Sequence, residues 1–169
     1  MRTIENLTDC KFLNLRKVID PENNVRGYFF SERLGKDSIA FVCYDINAQQ
    51  ILLNQEYKPP IDEFVLGAFG GSIDKDQTLF EIVKAEVKEE AGFVVELEDI
   101  KYLGDAFVST QMNQFCHLFI VFVDKENQGE REPENAIEAM AKTKWVDKKD
   151  IKEMRDWKAI TIMAKYRGK

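Results

Sequence analysis

The chain has 169 residues, 44% of them apolar, with a net charge of −6 and a sequence pI near 5.0. That length suffices for one domain with a sizeable core, and the acidic balance excludes a general binder of long nucleic acid, which needs a dense basic surface. No run approaches the roughly 18 apolar residues of a membrane span, and the polar start MRTIENLTDC lacks the charged-then-apolar order of a signal peptide.

In chain order, apolar runs around Phe12–Val18 and Val25–Phe30 flank the turn Asp20-Pro21-Glu22-Asn23-Asn24 and predict a pair of strands within residues 11–33. Ser38–Tyr44 (SIAFVCY) predicts a buried strand. Gln50–Tyr57 predicts another, ended by Lys58-Pro59-Pro60 because proline cannot continue a central ladder. Phe64–Phe69 is a short apolar segment before Gly70-Gly71. A helix then starts at Thr78, where Thr78-Leu79-Phe80-Glu81 fits a capping box, and stops at Gly92 in the C′ position. Val94–Leu97, Tyr102–Val108, Phe115–Val123 and Lys144–Val146 predict further strands. Asp124–Ala136 reads as a charged loop and Asp147–Lys165 as a closing helix. Strands in runs with two inserted helices predict an α/β architecture, a mixed sheet with helices on its faces. Neither a linker nor a repeat interrupts residues 1–169, so one domain is expected. Three scattered cysteines, Cys10, Cys43 and Cys116, have neither metal-ligand spacing nor a disulfide framework and predict a reducing, cytoplasmic setting.

The helix after Gly71 has an unusual charge distribution. At about 100° per residue, Leu79, Ile82, Val83 and Val87 fill one arc of roughly 140°. The same count puts Glu86, Glu89 and Glu90 inside or just beside that arc, whereas amphipathic helices place charge on the opposite face. Two readings fit. The acids form a solvated run that merely overlaps the apolar stripe, or they crowd a half-buried site and need a positive partner. A divalent cation such as magnesium or manganese suits hard oxygen ligands.

The segment Gly71–Phe93 (GSIDKDQTLFEIVKAEVKEEAGF) resembles the Nudix box. Gly71, Glu86, Val87, Glu89, Glu90, Gly92 and Phe93 match its pattern; Gln77 and Ala85 stand where the family carries a glutamate and an arginine that pair with each other. The resemblance implies the Nudix fold, an α/β/α sandwich with a mixed sheet, here preceded by N-terminal strands. It implies Mg²⁺ (or Mn²⁺) held by Glu86, Glu89, Glu90 and a backbone carbonyl at Gly70 or Gly71, with Glu86, Glu89 and Glu90 serving catalysis. The general base is a box glutamate in some members and an acid on a later loop in others. Here Glu126, Glu130, Glu132 and Glu134 lie in that loop, Glu138 follows it, and Glu134 is the candidate. The run Leu53-Asn54-Gln55-Glu56-Tyr57-Lys58 is similar to a Leu-x-x-Gln-Tyr-Arg run of the branch that hydrolyses ADP-ribose and nucleotide sugars. Ser109-Thr110-Gln111 departs from that branch's Ser-Pro-Gly.

The resemblance thus implies hydrolysis of a pyrophosphate bond in a small nucleoside diphosphate joined to another moiety, and a homodimer built partly through the N-terminal strands. Two other roles stay open, a non-catalytic nucleotide sensor and a hydrolase of another nucleotide. Substrate contacts are more faintly written. Alternation sends Tyr28 and Phe30 to one side of a strand, where they stack a base or pack a core. Arg26 and Lys58 have the charge and donors for phosphate. Gln114 stands roughly where related loops carry an acid, and His117, the sole histidine, lies in an apolar strand and reads as a packing residue.

Overall fold

The computed structural model describes residues 1–166 apart from 34, 36, 74, 75 and 135. Its strands are β1 (Thr3–Asn6), β2 (Leu13–Asp20), β3 (Val25–Arg33), β4 (Ser38–Asp45), β5 (Gln50–Lys58), β6 (Glu63–Gly67), β7 (Phe69–Ser72), β8 (Ile100–Ser109), β9 (Met112–Phe122) and β10 (Lys142–Asp147). The α-helices are α1 (Leu79–Glu86), α2 (Ala136–Met140) and α3 (Trp157–Lys165). The strands join in one mixed sheet of order β1-β2-β3-β9-β4-β5-β10, with β8 on β9, β6 on β5 and β7 on β4. Strand β9 runs parallel to β3 and β4; the remaining pairs are antiparallel.

Alternation along β4 builds two cores. Ile39, Phe41 and Cys43 face Ile82, Val83 and Val87 on one side. Ala40, Val42 and Tyr44 face Ala159, Ile162 and Met163 of α3 on the other. A strand covered on both faces must be apolar throughout, which is why SIAFVCY carries no polar alternation. The result is the expected α/β/α sandwich.

Near its centre the sheet forks. β4 pairs with β5 through Cys43–Leu52, Tyr44–Ile51 and Asp45–Gln50. Beyond that point β4 pairs instead with β7, from Phe41–Phe69 to Ser38–Ser72. β5 continues against β6, from Asn54–Gly67 to Lys58–Glu63. Ala68 is the corner between the two prongs.

The capping box starts α1 as the sequence predicts. The Thr78 hydroxyl oxygen accepts from the Glu81 N–H at 3.3 Å, and the Glu81 carboxylate accepts from the Thr78 N–H at 2.8 Å. The helix does not end as a plain α-turn. Val87–Ala91 widen into a π-turn, with the Gly92 and Phe93 N–H groups both donating to the Val87 carbonyl. Such bulges are frequent at functional sites.

Other expectations need correction. Val94–Leu97 forms no strand: Phe93 and Val95 are buried under α1 while Val94 is exposed, and Leu97–Asp99 is a single 3₁₀ turn. The closing helix is shorter than Asp147–Lys165. Lys148–Glu153 is a 3₁₀ segment, and α3 begins only after Asp156, whose carboxylate caps it by accepting from the Ala159 N–H. Phe64–Phe69 is two strands, split at the fork. β1, with one apolar residue in Thr3–Asn6, and α2, only five residues long at the end of a charged run, are not forecast at all. Among the described residues, no helix is long and apolar enough to cross a membrane.

Replacing Thr78 with alanine removes the cap and should cost about 1 kcal/mol of stability in urea unfolding. An unchanged midpoint would mean that the cap does not hold this helix.

Candidate active site

A cleft of about 410 Å³ opens at the fork. α1 and its π-turn contribute Glu86, Glu89 and Glu90 to it, and the β7 prong contributes Gly70 and Gly71. Asn54, Glu56 and Lys58 come from the β5 prong, where alternation turns every second residue the same way. Glu134 and Glu138 approach from the loop after β9 and from α2, Arg33 from the end of β3, and Lys158 from α3.

The acids are not a solvated run. Glu90 is 8% exposed, and Glu86 and Glu89 are half-buried. Burial, then the neighbouring charges of Glu86, Glu138 and Glu56, push the Glu90 carboxyl up to about 8, against a smaller lowering from the Gly70 N–H that it accepts. Among the described residues, its Oε2 has no hydrogen-bond partner. The glycine pair is sterically required. A Cβ on Gly71 would collide with the Glu86 carboxylate, and one on Gly70 would lie 2.9 Å from the Ile39 carbonyl.

The acidic loop is tied to the end of the helix. The Glu132 N–H donates to the Glu89 carbonyl at 2.9 Å and the Gly129 N–H to the Gly92 carbonyl at 2.8 Å. Gln128 Nε2 donates to the Ala91 carbonyl at 3.0 Å. These bonds satisfy carbonyls that a helix end leaves open. Gly92 takes φ of 77° and packs against the Gly129 carbonyl, so a side chain there would be both strained and obstructed. Arg131 donates to the Glu138 and Ala141 carbonyls at 2.7 and 2.6 Å, and the Glu138 carboxylate accepts from the Glu134 N–H at 2.8 Å. Of the loop acids, Glu132 pairs with Lys88 at 2.9 Å outside the cleft, while Glu134 and Glu138 line it.

The structure brings Gly71, Glu86, Glu89, Glu90, Glu134 and Lys58 to one cleft; Lys58 is paired with Glu56 at 2.6 Å. It does not bring Arg26, Tyr28, Phe30 or Gln114 to the cleft of the same chain. Arg26 is exposed, and the Tyr28 hydroxyl donates to the Thr110 carbonyl at 2.9 Å. Phe30 is buried, and Gln114 lies behind the wall, its Nε2 donating to the Ser38 hydroxyl at 3.2 Å. His117 is half-buried and bonded to the Tyr102 hydroxyl at 3.1 Å, away from the cleft. Gln77 and Ala85 both line the cleft, and Lys84 does not stand in for the missing arginine because Glu96 holds it at 2.8 Å.

Sequence reasoning missed Arg33, Asn54, Glu56 and Lys158 as lining residues. Asn54, Glu56 and Lys58, spaced two apart directly after the apolar Ile51-Leu52-Leu53, are a signal that could have found the β5 set. Arg33 and Lys158 carry none.

The NUDIX domain model matches residues 36–166. The chain belongs to the Nudix family. It is 27% identical over 103 residues to the ADP-ribose pyrophosphatase of Saccharomyces cerevisiae, a match covering 54% of this chain and 45% of that protein. The match thus spans less than half the length of that relative. The fold is similar to the crystal structure of an ADP compounds hydrolase, with a TM-score of 0.78 at 14% identity over 98% of this chain and 90% of that one.

The residues of this Nudix site fit a hard divalent cation. Among the described residues, no three His, Cys, Asp or Glu side chains are already drawn together as ligands of one ion. Yet a buried carboxylate oxygen without a partner, pressed by three like charges, is the environment that a cation relieves. Glu90 titrates well above its ordinary 4.5 in the folded chain, so ionising it opposes folding. Without divalent ions, this group makes stability fall as pH rises from about 4.5 to about 8. Added Mg²⁺ should therefore raise the melting temperature more at pH 8.5 than at pH 6, where a proton must first be displaced. Glu90→Gln should flatten both dependences in thermal melts. Equal Mg²⁺ shifts at the two pH values would refute the assignment.

Proposed function

We propose that this chain is a divalent-cation-dependent Nudix hydrolase. It cleaves the pyrophosphate bond of a nucleoside diphosphate joined to another moiety, with ADP-ribose or a nucleotide sugar as the leading substrate class. The observation that carries this reading is the buried acidic wall of Glu86, Glu89 and Glu90 folded against the Gly70-Gly71 backbone. The named activities of the two similar proteins support the choice of substrate class.

Glu86, Glu89, Glu90 and the Gly71 carbonyl would hold Mg²⁺, or Mn²⁺ in its place. When bound, the cation supplies charge stabilisation to phosphoryl oxygens and acidifies water. The chain's own residues do the rest. Gly70 and Gly71, lacking side chains, let backbone and diphosphate approach closely. Arg33, held by the Ser72 hydroxyl at 2.8 Å, and Lys58 supply positive charge at the rim. Glu134 or its bonded neighbour Glu138 takes the proton of the attacking water as a P–O bond of the bridge breaks. With ADP-ribose the products are AMP and ribose 5-phosphate.

The exposed apolar residues Ile4, Leu13, Leu15 and Phe29 on β1–β3 support a homodimer through the N-terminal strands. Light scattering should give twice the chain mass; a monomer at micromolar concentration would rule this out. The unbridged cysteines support a reducing, cytoplasmic setting.

A panel of ADP-ribose, nucleotide sugars, nucleoside triphosphates and dinucleoside polyphosphates, assayed with Mg²⁺ and resolved by chromatography, should give the highest kcat/KM for a nucleoside diphosphate conjugate. Glu90→Gln should lower kcat by about 10²-fold or more, since groups one shell outside a metal already cost about 10–100-fold. Retained turnover in a folded Glu90→Gln variant would remove the site. Tight binding without turnover in the wild type would favour the sensor.

A further inference from the structure

The fork has two sides, and the Nudix box accounts for one. Opposite it, α3 packs through Ala159, Ile162 and Met163, and one carboxylate ties its start to the fork. Asp156 accepts from the Ala159 N–H at 2.9 Å, capping its own helix, and from the Ala68 N–H at 3.1 Å, at the corner of the fork. The same carboxylate fills the space that a Cβ on Gly67 would need, and Gly67 is the register partner of Asn54. This contact fixes the start of α3 under the gap between the prongs, and Lys158, two residues on, lines the cleft from the layer opposite α1.

Lys158 differs from the other cations of the cleft. Arg33 is bonded to Ser72, and Lys58 to Glu56. Among the described residues, no carboxylate lies within ion-pair distance of the Lys158 ammonium, although the cleft is rich in acids. A second group of the fork also lacks its complement. Asn54 is 8% exposed, and its buried Oδ1 has no hydrogen-bond partner among the described residues. A buried polar atom left in this way costs free energy until a ligand or water meets it. An ammonium on one side and an unmet acceptor on the other call for a ligand part with both anionic oxygens and hydroxyl donors.

We propose that Lys158 is a substrate-binding and specificity residue of this enzyme. It donates to the phosphoryl oxygens of the half of the diphosphate that reaches across the fork from the acidic wall, while Asn54 accepts from a hydroxyl of the attached moiety. The assignment rests on the hydrolase reading above. It makes the C-terminal helix, outside the box, the element that selects sugar-phosphate conjugates.

The test is steady-state kinetics on folded full-length variants, checked by circular dichroism, with ADP-ribose and Mg²⁺. Lys158→Ala should raise KM about tenfold, the loss of one charge-assisted hydrogen bond, and leave kcat within about threefold. Lys158→Arg keeps the charge and should restore KM to within about threefold of wild type. The KM of Lys158→Ala should also depend less steeply on salt. An active wild type whose KM is unchanged by Lys158→Ala overturns this inference alone, as does a Lys158→Arg variant no better than alanine. A wild type that turns over no diphosphate substrate overturns the parent reading and this inference together.

Discussion

The parting of β4 and β5 after the Cys43–Leu52 pair is the constraint from which the rest follows. A continuous ladder would leave no opening in the middle of the sheet and no way for groups from the two helical layers to meet. Backbone hydrogen-bonding groups cannot be left unpaired in a buried region, so each strand needs a new partner where the two diverge. β7 and β6 are those partners, and the glycines at their junction are a consequence. Gly67 makes room for Asp156, Gly70 for the Ile39 carbonyl, and Gly71 for the Glu86 carboxylate. One topological choice thus sets where the acids arrive and how close they come to the main chain.

The acidic wall is an unfavourable arrangement held in place by its surroundings. Ile82, Val83 and Val87 anchor α1 in the core, and the capping box fixes its start. The widened last turn brings Glu89 and Glu90 round towards the glycines, and its freed carbonyls are taken up by the 128–132 segment. Packing and hydrogen bonds outside the site offset repulsion inside it, an arrangement expected where function sets the local sequence.

The sequence made some of this legible because the signals were local. The capping box at Thr78 and the unbroken apolar run of β4 each lie within one element, the glycine-to-glutamate spacing spans one short strand–helix connection, and the structure reproduces all three. Val94–Leu97 reads as a strand by composition, but only Phe93 and Val95 tuck under α1 while Val94 and Leu97 are exposed. The closing helix is shorter than Asp147–Lys165 because Asp156 caps it from within that stretch. Lys158 and Arg33 were invisible for a deeper reason. Their place depends on contacts between residues far apart in the chain, Asp156 with Ala68 and Arg33 with Ser72. No periodicity within one element records such a meeting. Arg26, proposed from its charge alone, lies on the exposed part of the same strand that delivers Arg33.

The double engagement of Asp156 has a thermal consequence. One carboxylate both begins α3 and pins it to the corner at Ala68, and the neighbouring Arg155–Glu63 ion pair at 2.6 Å is exposed and adds little to that hold. Local opening draws first on regions with few such ties. On warming, this end of α3 would detach while the sheet remained whole, carrying its ammonium away from the fork. The grip on substrate would then loosen before the cooperative melt, and a sample that still looked folded by spectroscopy would already need more substrate to reach the same rate.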